Sequence, residues 1–261
     1  MHILVTNDDG VHAPGILALV QAMRTLGKVS VLAPERNWSG AGHTKTLDSP
    51  LLSSKTTLED GSPAHAISGA PSDCVALALL GFFDEEIDLV VSGINPTPNL
   101  GHDITYSGTV MNAMEAVIKG VPGFAFSLDG FNAPRGSTLD FQPAANVARK
   151  VIKVALEKPL PEDVFLNVNI PYLPEDEMKG TCITRQGERL YHDVLDRRAD
   201  PRGKPYYWYG GGAPTGVPDA DTDIGALAAG YVSLTPLQLD LTAHHALDTM
   251  KDWMNDGEAE G

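Results

Sequence analysis

Residues 1–15 read MHILVTNDDGVHAPG. The apolar run Ile3-Leu4-Val5 stops at Asn7-Asp8-Asp9-Gly10, and a helical pattern opens at Pro14. This is a buried strand, a carboxylate-bearing turn and a helix start. In open α/β sheets, ligands bind beyond the carboxyl ends of the strands. Asp8 and Asp9 at that rim put two negative charges into one small concavity. A divalent cation between them turns their repulsion into attraction, because the ion becomes the largest local charge. Oxygen ligands suit hard cations such as Mg²⁺ and Mn²⁺. A plain tight turn is the competing reading, since Asn-Asp and Asp-Gly are common turn formers.

Working outward, Pro14 suits a first helical position and Gly27 a left-handed cap. Between them Ile16, Leu17, Leu19, Val20, Met23 and Leu26 make an apolar stripe at helical spacing. Val29–Ala33 is a second apolar strand, so the chain opens with a β-α-β unit and a parallel sheet. Residues 34–46 (PERNWSGAGHTKT) form a polar loop at the same rim, either an ordinary connection or, through Ser39-Gly40, a ligand contact. Asp60-Gly61 marks a hairpin turn, and Pro71 opens a short helix.

The strand Ile87–Val91 runs into a second polar stretch, SGINPTPNLGHDITYSGTV, residues 92–110. It ends in a helix start at Ser107-Gly108-Thr109, with Val110, Met114 and Val117 inward and Gly120 as cap. Ser107 reads equally as a helix cap and as part of an anion cradle, because small residues there leave N–H groups open. Gly123–Leu128 is a strand, Ala144–Leu156 a helix with Val147, Val151, Ile152 and Leu156 on one face, and Val164–Ile170 a strand carrying Asn167 and Asn169. About five strand–helix alternations describe a doubly wound α/β sandwich.

From Pro171 the pattern changes. Residues 180–216 combine charges, turn chemistry at Asp200-Pro201-Arg202-Gly203 and the aromatic run Tyr206-Tyr207-Trp208-Tyr209, which reads as a β-hairpin arm. Such an arm contacts another chain or a ligand, or packs on its own body. A short helix over Asp221–Ala229, a strand Tyr231–Leu234 and a last helix Thr242–Met254 complete the chain. His244 and His245 are adjacent, so they point to different faces and do not suggest a zinc site.

Composition bounds the rest. The chain has 261 residues, 43% hydrophobic and 20% charged, enough for one large domain. A formal net charge of −15 argues against a nucleic-acid polymer as partner. No apolar run approaches the roughly 20 residues of a membrane helix. The two cysteines, Cys74 and Cys182, form no disulfide framework or metal pattern and read as buried thiols of a cytoplasmic protein. P-loop, dinucleotide and nucleophile-elbow motifs are missing.

In a parallel sheet the three polar strand ends share one rim. Asp8, Asp9, Ser39 and Asn95 could then supply an all-oxygen shell, with the Ser107-Gly108-Thr109 helix start beside it as an anion cradle. A metal next to an anion cradle suits hydrolysis of a phosphate ester. Adjacent carboxylates followed by Gly10-Val11 do not match the Asp-x-Asp pattern of phosphatases that form an aspartyl-phosphate, so attack by a metal-activated water is the expected route.

The NDDG turn, the Ser39-Gly40 loop, SGIN followed by N-x-G-x-D, and YSGTV together resemble the SurE, or survival-protein-E, family of 5′/3′-nucleotidases. DPRG followed by YYW, and TD followed by GYVSLTPLQLDLT, extend the likeness over nearly the whole chain. The resemblance implies a three-layer Rossmann-like sandwich with a mostly parallel sheet, comprising a core over about residues 1–175, the arm over about 180–216 and a C-terminal oligomerisation segment over about 217–261. It implies one divalent ion (Mg²⁺, Mn²⁺ or Co²⁺) per subunit on Asp8, Asp9, Ser39 and Asn95, and phosphate contacts from Asn99, Ser107, Gly108 and Thr109. Asp8, Asp9 and Asn99 become the catalytic set, nucleoside monophosphates the substrates, and a homodimer or homotetramer the assembly. Two positions depart from the pattern: Thr97 stands where relatives commonly carry Gly, and His102 where a small or acidic residue is frequent. A hydrolase of other phosphoesters such as short polyphosphate is the nearest alternative. A Mg²⁺-binding receiver module is a distant one, because it needs a third Asp at a central strand end and a later Lys.

Overall fold

The computed structural model describes residues 1–134 and 136–258. β1 (His2–Thr6) and α1 (Pro14–Met23) open the chain, followed by β2 (Lys28–Pro34), β3 (Ser53–Thr57), β4 (Pro63–Ile67) and α2 (Pro71–Leu77). β5 (Leu89–Asn95), α3 (Gly108–Ile118), β6 (Gly123–Leu128), α4 (Gln142–Glu157) and β7 (Val164–Ile170) continue the alternation. β8 (Thr181–Ile183), β9 (Arg189–Ala199), β10 (Pro205–Gly216), α5 (Asp223–Ala228), β11 (Val232–Gln238) and α6 (Leu247–Glu258) follow.

Nine strands form one sheet in the order β3-β4-β2-β1-β5-β6-β7-β11-β8. The run from β4 to β7 is parallel, whereas β3 and β11 pair antiparallel with β4 and β7. A central parallel strand must be apolar on both faces, and all five residues of β1 are buried. Its side chains divide between the layers. Ile3 and Val5 pack with α1 and α4, whereas Leu4 packs with Cys74, Val75 and Ala78 around α2 and with Ala116 of α3. The result is the three-layer α/β arrangement that the strand–helix alternation predicts, with β1 and β5 at its centre and their carboxyl ends side by side.

The differences in detail have physical causes. Gly27 does not take a left-handed conformation; a Cβ there would lie 2.7 Å from the Met1 carbonyl, so this glycine permits a close chain crossing. α4 starts two residues earlier than its apolar pattern, and Leu156 is exposed while Ala144, Ala145, Val147, Ala148 and Ile152 are buried. α3 is buried almost all round, Asn112 and Glu115 included, because it lies against the sheet, α2 and the loop after β2. β5 runs on to Asn95. The last helix is divided: one tight turn over His244–Ala246 precedes α6. Cys182 is only half buried, whereas Cys74 is fully buried. β9 and β10 pair only with each other, which makes the predicted hairpin arm; it starts later than the expected residue 180, because Thr181–Ile183 pairs with β11 and joins the main sheet as β8.

Candidate active site

The first rim segment is built by the turn after β1. Asn7 closes it with its own side chain: Nδ2 donates to Gly10 O at 2.9 Å, and Gly10 N donates to Asn7 Oδ1 at 3.2 Å. That leaves Asp8 and Asp9 just beyond the strand end. Trp38 N donates to Asp8 O at 2.8 Å, which lays the loop after β2 over the same turn.

α3 points its N-terminus at Asp8. Ser107 caps the helix, its Oγ accepting from Val110 N at 3.2 Å, so the capping reading of this residue holds. Thr109 Oγ1 donates to Asp8 Oδ1. A Cβ on Gly108 would sit 2.6 Å from Asp8 Cβ, so only glycine allows this approach. Burial pushes the Asp8 carboxyl up, opposed by the Thr109 hydroxyl and the amides of Thr109 and Gly108. The first anion served by this helix start is therefore Asp8 itself. Asp9 is pushed up to about 7, by burial first and by the Asp8 charge second.

The second rim segment, after β2, carries Ser39. Asn37 holds it beside the carboxylates: Ser39 N donates to Asn37 Oδ1 at 2.6 Å, and Asn37 Nδ2 donates to Asp9 Oδ1 at 3.4 Å. Further along, the loop is pinned to α3 through Glu115, whose carboxylate is fully buried. His43 Nε2 lies 2.9 Å from Glu115 Oε2, and Lys45 Nζ lies 2.9 Å from Oε1 in an ion pair out of line for a hydrogen bond.

The third segment, after β5, carries Asn95 and Asn99. Asn95 Nδ2 donates to Thr97 O at 2.6 Å and to Thr97 Oγ1 at 3.2 Å. The departure at Thr97 thus adds a hydroxyl that fixes the Asn95 amide and leaves Oδ1 as its uncommitted end. His102, the other departure, is exposed and off the cleft. Asn99 is gripped from below: its N donates to Asn169 Oδ1 at 2.8 Å, its O accepts from Asn167 and Asn169 Nδ2 at 2.9 Å each, and its Nδ2 donates to Ser127 Oγ at 2.8 Å.

Asp8, Asp9, Ser39, Asn95, Asn99 and Ser107 all line one cleft of about 420 Å³ at the carboxyl ends of β1, β2 and β5. Gly108 and Thr109 stand directly behind Asp8. Sequence reasoning missed several contributors: Asn37, Asp103, Tyr106, Phe131, Arg189 and Pro214 also line the cleft. Arg189, the first residue of the arm, donates through Nε to Asp103 Oδ2 at 2.6 Å, and Tyr191 Oη donates to Asp103 Oδ1 at 2.8 Å. Asp223, fully buried, accepts from Gly101 N, Gly187 N and Ile224 N at 2.7–2.8 Å and so ties the β5 loop, the arm base and α5 together. Only Asn167 and Asn169 left a signal, as amides inside an otherwise apolar strand.

The donor set fits a hard divalent cation. Among the described residues no group of three or more His, Cys, Asp or Glu gathers; here two carboxylates, one hydroxyl and one amide oxygen converge. Two adjacent carboxyls both pushed toward their neutral forms are the electrostatic condition that a bound cation reverses.

Comparison with known proteins agrees with this architecture. The family model described as "Survival protein SurE" matches residues 3–193. The 5′-nucleotidase SurE of Herpetosiphon aurantiacus is 53% identical over 243 residues, covering 93% of this chain and 94% of the relative. That of Chloroflexus aggregans is 47% identical over 253 residues, covering 97% and 99%. The crystal structure of the SurE protein from Aquifex aeolicus superposes with a TM-score of 0.81 at 42% identity, covering 97% of this chain and 100% of that one. The chain belongs to the SurE family.

Proposed function

We propose that this protein is a divalent-metal-dependent phosphomonoesterase that hydrolyses nucleoside 5′-monophosphates, with 3′-monophosphates as further candidate substrates, to nucleoside and phosphate. The observation that carries the reading is the convergence of Asp8, Asp9, Ser39 and Asn95 from three strand ends onto one cleft, beside a small-residue helix start. The names of its relatives support the nucleotide as substrate.

Asp8, Asp9, Ser39 Oγ and Asn95 Oδ1 are the groups that would hold the ion. When bound, it polarises a phosphoryl oxygen and lowers the pKa of a nearby water. Asp8 is committed to Thr109 and is 3% exposed. Asp9 is the more accessible carboxylate and is the one that orients the attacking water and takes its proton. Asn99, held by Ser127 and the two β7 asparagines, presents a fixed polar side chain to the phosphoryl oxygens, with Ser107, Gly108 and Thr109 behind.

The assembly belongs to the same reading. Tyr207, Trp208 and Tyr209 on the arm are exposed, as are Met250, Trp253 and Met254 on α6. We assign both surfaces to a homodimer or homotetramer. Free Cys74 and Cys182 support a reducing compartment, the cytoplasm. Among the described residues no helix is long and apolar enough to cross a membrane.

The test is phosphate release from nucleoside monophosphates and from short polyphosphate, after EDTA treatment and after adding back Mg²⁺, Mn²⁺ or Co²⁺. Metal-restored release from the nucleotides is the expected result. Release from polyphosphate alone would move the substrate class, and full activity in EDTA would remove the metal from the reading.

A further inference from the structure

The residues proposed to hold the metal and the phosphate line one part of the cleft, and its volume of about 420 Å³ lies within the range of about 300–1,000 Å³ typical of small-molecule pockets. The remaining lining has a different chemistry. Tyr106, at the end of the tight turn before α3, is 61% exposed, and Phe131, in the turn after β6, is 59% exposed. These two rings line the same cleft as Asp8 and Asp9.

Arg189 is the one Lys or Arg among the described residues lining that cleft. Its side chain is 8% exposed and anchored at one end only, through Nε to Asp103. Among the described residues its two terminal amino groups donate to nothing within the chain. Asp103 is itself fixed by Tyr191, so the guanidinium is held in place with donors to spare. A preorganised fork of this kind suits a polar acceptor on a bound molecule.

We propose that Tyr106, Phe131 and Arg189 form the nucleoside subsite. The rings stack the base, and the free Arg189 donors take an acceptor on the sugar or the base edge. The proposal rests on the nucleotidase reading above and deepens it. It makes the arm base part of the substrate site, because Arg189 begins β9. Stacking is tolerant of base identity, since every base has a π face, so this wall selects nucleotides over base-free phosphates more strongly than one base over another.

The experiment compares kcat/KM for adenosine 5′-monophosphate with that for ribose 5-phosphate, with Mn²⁺ present, in wild type and in Tyr106→Ala, Phe131→Ala and Tyr106→Phe. Each alanine variant is expected to lower the nucleotide-to-ribose-phosphate ratio roughly tenfold, the scale of losing one base–aromatic stack. Tyr106→Phe, which keeps the ring, holds the ratio near wild type. Arg189→Lys, which keeps the charge and loses the fork, raises KM for adenosine 5′-monophosphate and leaves kcat near wild type. An unchanged ratio in both alanine variants, with the nucleotide still hydrolysed, overturns the subsite and leaves the nucleotidase reading standing. A wild-type protein that hydrolyses neither substrate under any metal overturns both.

Discussion

Gly108→Ala is the sharpest probe of how α3 meets Asp8. A Cβ at this position would lie 2.6 Å from Asp8 Cβ and 2.9 Å from Asp8 Oδ2. Carbon atoms settle at ~3.5–4.0 Å, so the helix start and the β1 turn must separate by about 1 Å. The obstructing atom is rooted on the backbone of the β1 turn, so a rotamer change does not relieve it. Thr109, the next residue, loses its geometry toward Asp8 Oδ1 at the same time. Overpacking of this kind costs about 1–3 kcal/mol, and alanine returns up to ~1 kcal/mol of helix propensity. The net loss of stability is therefore about 0–3 kcal/mol, a fall in Tm of up to roughly 12 °C for a chain of this size. Catalytic geometry is less forgiving: a misplacement of ~1 Å can cost about 100-fold in rate. Phosphate release from a nucleoside monophosphate, measured beside thermal melting, separates the two effects. The expected variant is folded and about 100-fold slower. A folded Gly108→Ala with activity within twofold of wild type would refute the claim that α3 positions Asp8.

Asp223→Asn tests the buried clamp between the β5 loop, the arm base and α5. Three N–H groups point at this carboxylate, and an amide offers an acceptor on one side only. Urea unfolding should show a loss of about 2–3 kcal/mol; an unchanged midpoint contradicts the clamp. The paired carboxylates predict a pH trend in the metal-stripped protein. Asp9 is pushed up to about 7 in the fold against ~3.9 unfolded, so between those values the folded state holds the extra proton. Stability from this group is present below pH ~4 and is lost as pH rises toward about 7. Tm of the stripped protein should fall over that window more steeply than in Asp9→Asn, and saturating Mg²⁺ should remove the difference. Parallel pH curves for the two stripped proteins would contradict the assignment.

Much of this molecule is written in local sequence. The apolar run of β1 followed by NDDG fixed the strand, the turn and the place of the two carboxylates, because a strand buried on both faces needs an unbroken apolar run and its polar successors must leave the sheet. Asp60-Gly61 marked the β3–β4 turn, where Gly61 takes φ +80°. The aromatic run over Tyr206–Tyr209 marked the arm. Ser39, Asn95 and the Ser107 helix start were legible for the same reason: each follows an apolar strand, and parallel strands end on one rim. What the tertiary structure alone decided is who touches whom across that rim. Arg189 lies 86 residues from its partner Asp103, and Asp223 lies 122 from Gly101. Glu115 looks like an ordinary surface position of a helix until α3 is seen buried almost all round. Gly27 reads as a helix cap, and a crossing with Met1 explains it instead. Local pattern records which groups must leave water and where the backbone must turn; the pairing of polar groups across the cleft depends on sheet order and helix placement, which no local spacing encodes.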